Sequence, residues 1–163
     1  MFILTFKVKK RKMAVVITAI ILVLIVGAML LLKARSSDIF DTINNGIKYT
    51  FTDVKTNEDR INFLKQFGWQ VEEKAIEIME VQIPEEFDSV YENYNKIQSE
   101  LGLNLHKYKG QRVKRYTYRV LNYPKKDKGE VRANILIYKD RVVAGDIMTT
   151  ALDGFMHSLL YKE

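Results

Sequence analysis

The stretch IPEEFDSVYENYNKIQSELG, residues 83–102, decides how the rest of the chain is read. Pro84 ends whatever precedes it and suits the first turn of a helix, where its missing N–H is not needed. Glu85, Glu86 and Asp88 put negative charge where the helix dipole favours it. Phe87, Val90, Tyr91, Tyr94, Ile97 and Leu101 recur at steps of three and four, which makes one continuous apolar stripe. Gly102 ends it. The pattern predicts a helix over 85–101 whose aromatic stripe is core rather than a ligand site.

Towards the N-terminus, AIEIMEVQI (75–83) reads as a strand with a fault of phase. Ile76 and Ile78 share one face, while Met79, Val81 and Ile83 share the other. A side-chain period of two cannot jump by one without an extra residue, so a bulge or a switch of face is expected near Ile78 and Met79. A strand buried on both faces is the alternative. Before it, Thr56-Asn57-Glu58-Asp59 fits a helix-capping pattern. Ile61, Leu64 and Phe67, widened by Phe63, mark a first helix over 57–67, which Gly68 stops. IKYTFTD (47–53) alternates apolar Ile47, Tyr49 and Phe51 with polar residues, the pattern of a half-buried strand.

Towards the C-terminus, QRVKRYTYRVL (111–121), VRANILIY (131–138) and RVVAGDIM (141–148) are strands rich in β-branched and aromatic residues. Asn122-Tyr123-Pro124 and the charged turn KKDKG (125–129) separate the first two, and a tight hairpin at Lys139-Asp140 joins the last two. Thr150 to Asp153 fits a second capping pattern, with Leu152, Phe155, Met156 and Leu159 at helical spacing. A closing helix is therefore expected, weakened at Gly154 by about 1 kcal/mol relative to Ala. The fold class is α+β. A mostly antiparallel sheet is covered on one face by the 85–101 helix, with the 57–67 helix alongside. The order helix, strand, long helix, three strands is cystatin-like.

A different kind of sequence precedes this domain. Residues 13–32, MAVVITAIILVLIVGAMLLL, carry no charge. At about 1.5 Å per residue, a helix of this length matches the roughly 30 Å of a bilayer's hydrocarbon core. A cleaved signal peptide fits less well, because the apolar run is long and no small-x-small site follows it. Lys7, Lys9, Lys10, Arg11 and Lys12 precede the run; only Lys33 and Arg35 follow closely. This asymmetry puts the N-terminus in the cytoplasm and the remainder outside. The expected organisation is a basic segment (1–12), a single-pass signal anchor (13–32), a juxtamembrane linker with a possible strand (33–55) and an extracytoplasmic domain (56–163).

The net charge of +6 does not point to nucleic acid. Residues 1–35 hold seven of the basic residues and no acid, so 36–163 hold 19 basic and 20 acidic residues. Within that part, 36–105 carry a net −8 and 106–163 a net +7, and the two halves are expected to attract each other. KYKGQRVKRYTYR (107–119) interleaves basic and aromatic residues. Outside a membrane this suits a solvated sheet face, anionic headgroups or cell-wall polymers better than nucleic acid. The chain has no cysteine, which removes thiol chemistry, disulfides and thiolate metal sites.

NEDRINFLKQFGWQV (57–71), IPEEFDSVYENYNKIQSELGLNL (83–105), YKGQRVKRYTYRVLNYP (108–124), VRANILIY and VAGDIMTTALDGFMHSL (143–159) together resemble the bacterial domain-of-unknown-function family numbered 4830 over about residues 57–160. The resemblance implies a small single-pass membrane protein with this domain outside, and implies no activity.

Catalytic signatures are scarce. The only histidines, His106 in a polar loop and His157 on the expected last helix, read as structural, and no metal or cofactor is expected. Asp146 stands out. Val142, Ala144, Asp146 and Met148 share a strand face, and a carboxylate there costs free energy unless paired. Arg115 and Arg119 share a face of a neighbouring strand. One reading is a cross-strand Asp–Arg pair. The other is a polar pocket of Asp146, Arg115 and Arg119 beside Tyr116 or Tyr118 that binds a small charged ligand. Three functional classes follow. The first is a membrane-anchored binding, sensing or assembly module with a protein or cell-envelope partner. The second is an extracytoplasmic enzyme or small-ligand binder, and the third a secreted inhibitor-like domain. Oligomeric state is not legible.

Overall fold

The computed structural model describes residues 17–28, 42–44, 47–124 and 129–160. Residues 13–16 and 29–32 of the expected anchor, 1–12 before it, 33–41 of the expected linker, Asn45-Gly46 and residues 125–128 of the charged turn lie outside the described residues. The chain divides into two compact units, Met1–Ile39 and Phe40–Glu163. In the first, residues 17–28 form a helix, α1, whose large apolar side chains are exposed. Among the described residues no helix is long and apolar enough to cross a membrane.

The second unit is α+β. Strands β3 (Glu77–Gln82), β4 (Arg112–Arg119), β5 (Val131–Tyr138), β6 (Arg141–Thr149) and β7 (Met156–Ser158) form a five-stranded antiparallel sheet in that spatial order. Each strand lies beside its neighbour in sequence, and the long connection among them, residues 83–111, joins β3 to β4. A separate hairpin pairs β1 (Thr42–Asn44) with β2 (Ile47–Tyr49). Only the first part of IKYTFTD is strand, yet Tyr49, Phe51 and Val54 are all buried in the domain core.

Helix α2 (Asn57–Lys65) begins with the expected capping box. Thr56 accepts from the Asp59 amide, and the Asp59 carboxylate accepts from the Thr56 amide at 2.8 Å. At its end, Gly68 donates to the Lys65 carbonyl and Trp69 to that of Leu64, with Gly68 at φ +84°. This is a Schellman closure, which needs the left-handed conformation that glycine adopts freely. Helix α3 (Ser89–Ser99) starts later than Pro84 suggested. Asp88 is extended and its carboxylate accepts from the Tyr91 amide, so a strong N-cap sets the boundary rather than proline. A 3-10 turn, η1 (Leu105–Tyr108), follows.

The two helices lie on opposite faces of the sheet, not side by side on one. Along β4, Arg115 and Thr117 alternate with Tyr116 and Tyr118. Arg60 of α2 stacks over Tyr116 and bonds Tyr118, whereas α3 reaches the other face through Asp146. A large core on the α2 side joins Phe51, Phe63, Leu64 and Trp69 to Tyr118, Ile135 and Ile147. A smaller one on the α3 side joins Ile83, Leu105, Val113, Leu136 and Ala144, with Tyr91 and Tyr94 against it.

Three further expectations change. β3 pairs with β4 in unbroken register from Glu77 opposite Thr117 to Gln82 opposite Arg112, so no bulge lies at Ile78 and Met79. β3 is an edge strand with Ile78 62% and Met79 44% exposed, and neither face demands a strict apolar period. The register shift falls instead between β5 and β6, where Leu136 faces Ala144 and Ile137 faces Val142. Finally, the expected closing helix is a turn followed by β7. Pairing with Asp146–Met148 satisfies a backbone edge that a helix would leave open, and Leu152 of the supposed stripe is fully exposed. His157 is accordingly on β7.

The Lys139-Asp140 hairpin has both residues at positive φ, +46° and +64°, as a type I′ turn requires. Neither is the glycine or asparagine such turns favour. The Asp140→Gly variant is therefore expected to gain about 0.5–1 kcal/mol in urea unfolding, because the turn's left-handed cost falls by more than the chain entropy rises. An unchanged or lower midpoint would count against that balance.

Candidate functional site

The register of the sheet sets one polar residue on each strand into a single row. Glu77 on β3 faces Thr117, Thr117 faces Asn134, Asn134 faces Asp146, and Asp146 faces Ser158 on β7. The four from Thr117 to Ser158 are buried. Such groups cost free energy unless bonded, and here they are. Thr117 Oγ1 donates to Asn134 Oδ1 at 2.8 Å, and Asn134 Nδ2 donates to Asp146 Oδ2 at 2.8 Å. Ser158 Oγ donates to Glu100 Oε2 at 2.9 Å.

Helix α3 is tied to this row by two residues one turn apart. The Tyr94 hydroxyl donates to Asp146 Oδ1 at 2.9 Å, and the amide of Gly145 donates to Gln98 Oε1 at 2.8 Å. Residues four apart on a helix point the same way, so both bonds come from one face. Gly145 also has to be glycine. A Cβ there would meet Leu159 Cδ1 at 2.6 Å, so a side chain would displace Leu159 from the opposite core.

Between α3 and the sheet lies a groove of about 390 Å³. Its walls are largely apolar, with Val81, Leu136 and Met148 from the sheet and Ile97 from α3. Val90 and Met156 are 70% and 46% exposed and also line it. Arg115, Asn134 and Asp146 supply its polar floor, with Tyr91 and Tyr94 above.

Burial pushes the Asp146 carboxyl above its ordinary range, opposed by the bonds from Asn134 and Tyr94 and by the Arg115 charge. Burial, with Asp146 beside it, holds the Tyr94 phenol well above 10. Asp146 is thus an acceptor whose oxygens are already engaged. Glu77 of the row is held by Arg115, and Glu100, at the end of α3, accepts from Ser158. Among the described residues no group of three His, Asp or Glu side chains is placed to hold a metal ion.

The five residues singled out from the sequence do not form one cluster. Asp146 and Arg115 share the groove. Arg115 does not pair with Asp146 directly; its Nη2 bonds Glu77 Oε2 at 2.6 Å. Arg119, four positions further along, bonds Glu72 at 3.1 Å and Glu130 at 2.8 Å. Tyr116 and Tyr118 lie on the other face with Arg60, and Tyr118 also donates to Asn57. The residues that do complete the site, Tyr94, Asn134, Tyr91 and Val90, read in sequence as core stripe or strand. The visible signal was Asn134, the one amide inside the apolar run ANILI.

The raised carboxyl gives a test with a definite sign. Because the Asp146 pKa is higher in the folded chain than near the ordinary 3.8, the folded state holds the extra proton between those two values. Wild-type stability relative to Asp146→Asn is therefore expected to rise as the pH falls from about 7 to about 4, and to be lowest at neutral pH, where the buried charge is unneutralised. Urea melts of both proteins across this range read the difference. A flat difference would mean the carboxyl is not shifted.

The site lies mostly within a stretch recognised by comparison. A family model, Domain of unknown function (DUF4830), matches residues 63–147, just over half of the chain, from within α2 to within β6. The matched stretch contains Tyr94, Arg115, Asn134 and Asp146; Met156 and Ser158 lie beyond it. No curated protein and no solved structure matches the chain. The chain belongs to the family described as Domain of unknown function (DUF4830).

Proposed function

We propose that this chain is a membrane-anchored, extracytoplasmic binding module whose ligand site is the groove beneath α3. The observation that carries the binding role is the form of that groove. It is open and apolar, with a few polar groups at its floor, the usual composition of a small-molecule site. Its one buried carboxylate, Asp146, is engaged by Tyr94 and Asn134, which favours binding over hydrolysis. Residues 13–32 support the anchor by their length, lack of charge and asymmetric flanks. The exposed Ile17, Ile20, Leu22 and Leu24 on α1 suit a lipid environment better than water. In arrangement the domain is cystatin-like, with a helix laid across an antiparallel meander, and that likeness assigns no function.

Location and binding are tested separately. Protease added to intact cells, with outer barriers permeabilised, is expected to remove residues beyond about 40 and leave the N-terminal segment with the membrane. Full protection would reverse the orientation, and a mature chain beginning near Ser36 would replace the anchor by a secreted, inhibitor-like protein. For binding, the full chain in nanodiscs is mixed with a small-molecule extract of the cell envelope. Amide exchange of α3 is then expected to slow relative to α2. Equal exchange with and without extract would defeat the groove as a binding site.

A further inference from the structure

We propose that the groove takes a long-chain carboxylate, its chain lying against Val81, Leu136 and Met148 and its carboxylate held by Arg115 and the Tyr91 hydroxyl. This rests on the domain being a binding module and adds the chemical class of its ligand.

The polar end of the groove is short of acceptors. Arg115 uses Nη2 for Glu77 and for the Met79 sulfur at 3.3 Å. Its Nε is buried and has no hydrogen-bond partner among the described residues. Tyr91, half-buried, lines the same groove. Asp146 does not answer that Nε; its oxygens accept from Tyr94 and Asn134. Unmet buried donors are rare in folded chains and mark a missing partner. The partner this one calls for brings acceptor oxygens, and a planar carboxylate matches the guanidinium edge.

Glu77 engages Arg115 through Nη2 alone, which leaves the buried Nε–H as a donor for an anion's oxygen. The Arg115 charge also bears on Tyr91, Tyr94 and Asp146 alike, which places it at the centre of this end. Away from it the walls are apolar, and exposed Val90 and Met156 extend them. A volume of about 390 Å³ is within the range of small-ligand sites. Methionines at 148 and 156 adapt to a flexible chain. An apolar body with one anionic end satisfies both halves of the groove; a neutral chain leaves the donor unmet.

The test uses the full chain in phosphatidylcholine nanodiscs with a photoactivatable palmitic acid carrying a diazirine near its methyl end. After irradiation, labelled peptides are mapped by mass spectrometry. Labelling is expected on the α3 segment and around Met148 and Met156. Val90→Arg, at an exposed position that should not disturb folding, is expected to reduce it to background. Unlabelled palmitic acid should compete at least about tenfold better than hexadecanol, since a charged hydrogen bond distinguishes them. Arg115→Gln should abolish that preference while leaving competition by the alcohol unchanged. Labelling confined to residues 13–32, equal competition by acid and alcohol, or full labelling of Val90→Arg would each overturn the proposal. So would loss of labelling on dimer formation, which would give the groove to a second copy. If the envelope extract slows exchange of α3 while palmitic acid does not label it, the binding module stands and the ligand class fails.

Discussion

Asp146 is a carboxylate 2% exposed at the centre of a sheet, and the folded unit is arranged around answering it. Arg115, whose charge bears on it, is engaged by Glu77, so its hydrogen bonds come from dipoles. Asn134 comes from the next strand and Tyr94 from the helix above. Thr117 fixes the amide of Asn134 by bonding its oxygen, which turns the nitrogen towards Asp146. Each bond depends on the sheet's register. A slip of one residue would turn Asn134 to the other face and leave the carboxylate without its strand partner. A satisfied polar row of this kind specifies one pairing of strands more sharply than apolar packing does.

The same row sets where α3 lies. Tyr94 and Gln98 hold its last turns against β6, while the residues before them pack on the smaller core. The groove lies between this helix and the sheet, beside the bonds that Tyr94 and Gln98 make. Packing on the α2 side is denser and more aromatic. Phe51, Phe63 and Phe67 meet edge to face or tilted there, and Trp69 stacks on Tyr123 while donating to the Leu159 carbonyl at 2.7 Å. One face of the sheet thus carries the bulk of the core, and the other is free to keep an opening.

The opposed charges of the two sequence halves meet along β3 and β4. Glu72, Glu77 and Glu80 bond Arg119, Arg115 and Arg112 in antiparallel order. Most of these pairs are exposed and each contributes little to stability. Their effect is on pairing: an acidic edge strand accepts the basic strand and resists a second acidic edge. Arg115 alone among them turns inward, which is how a strand built for pairing also supplies the groove.

Much of this fold was legible without coordinates, and the reasons are local. The capping box at Thr56, the Gly68 and Gly102 stops, the stripe of the long helix and the three C-terminal strands are each set by residues within a few positions of one another. The charge difference between halves was legible for the same reason, as a count. What the sequence could not carry was anything requiring two distant segments to be placed. Periodicity identified Asp146 as costly but could not find its partners, because Asn134 and Tyr94 are joined to it by register and by helix docking. It put Tyr116 and Tyr118 beside Arg115, where alternation turns them to the opposite face. It read the helical spacing of Leu152, Phe155, Met156 and Leu159 correctly as spacing. The open edge of β6 then outweighed it, since backbone groups seek partners wherever the fold leaves them unpaired. The sequence by itself determined the ends of α2, the aromatic stripe of α3 and the three strands between 111 and 149. Only the tertiary structure decided which faces meet, because burial, register and the satisfaction of a buried charge are properties of segments far apart in the chain.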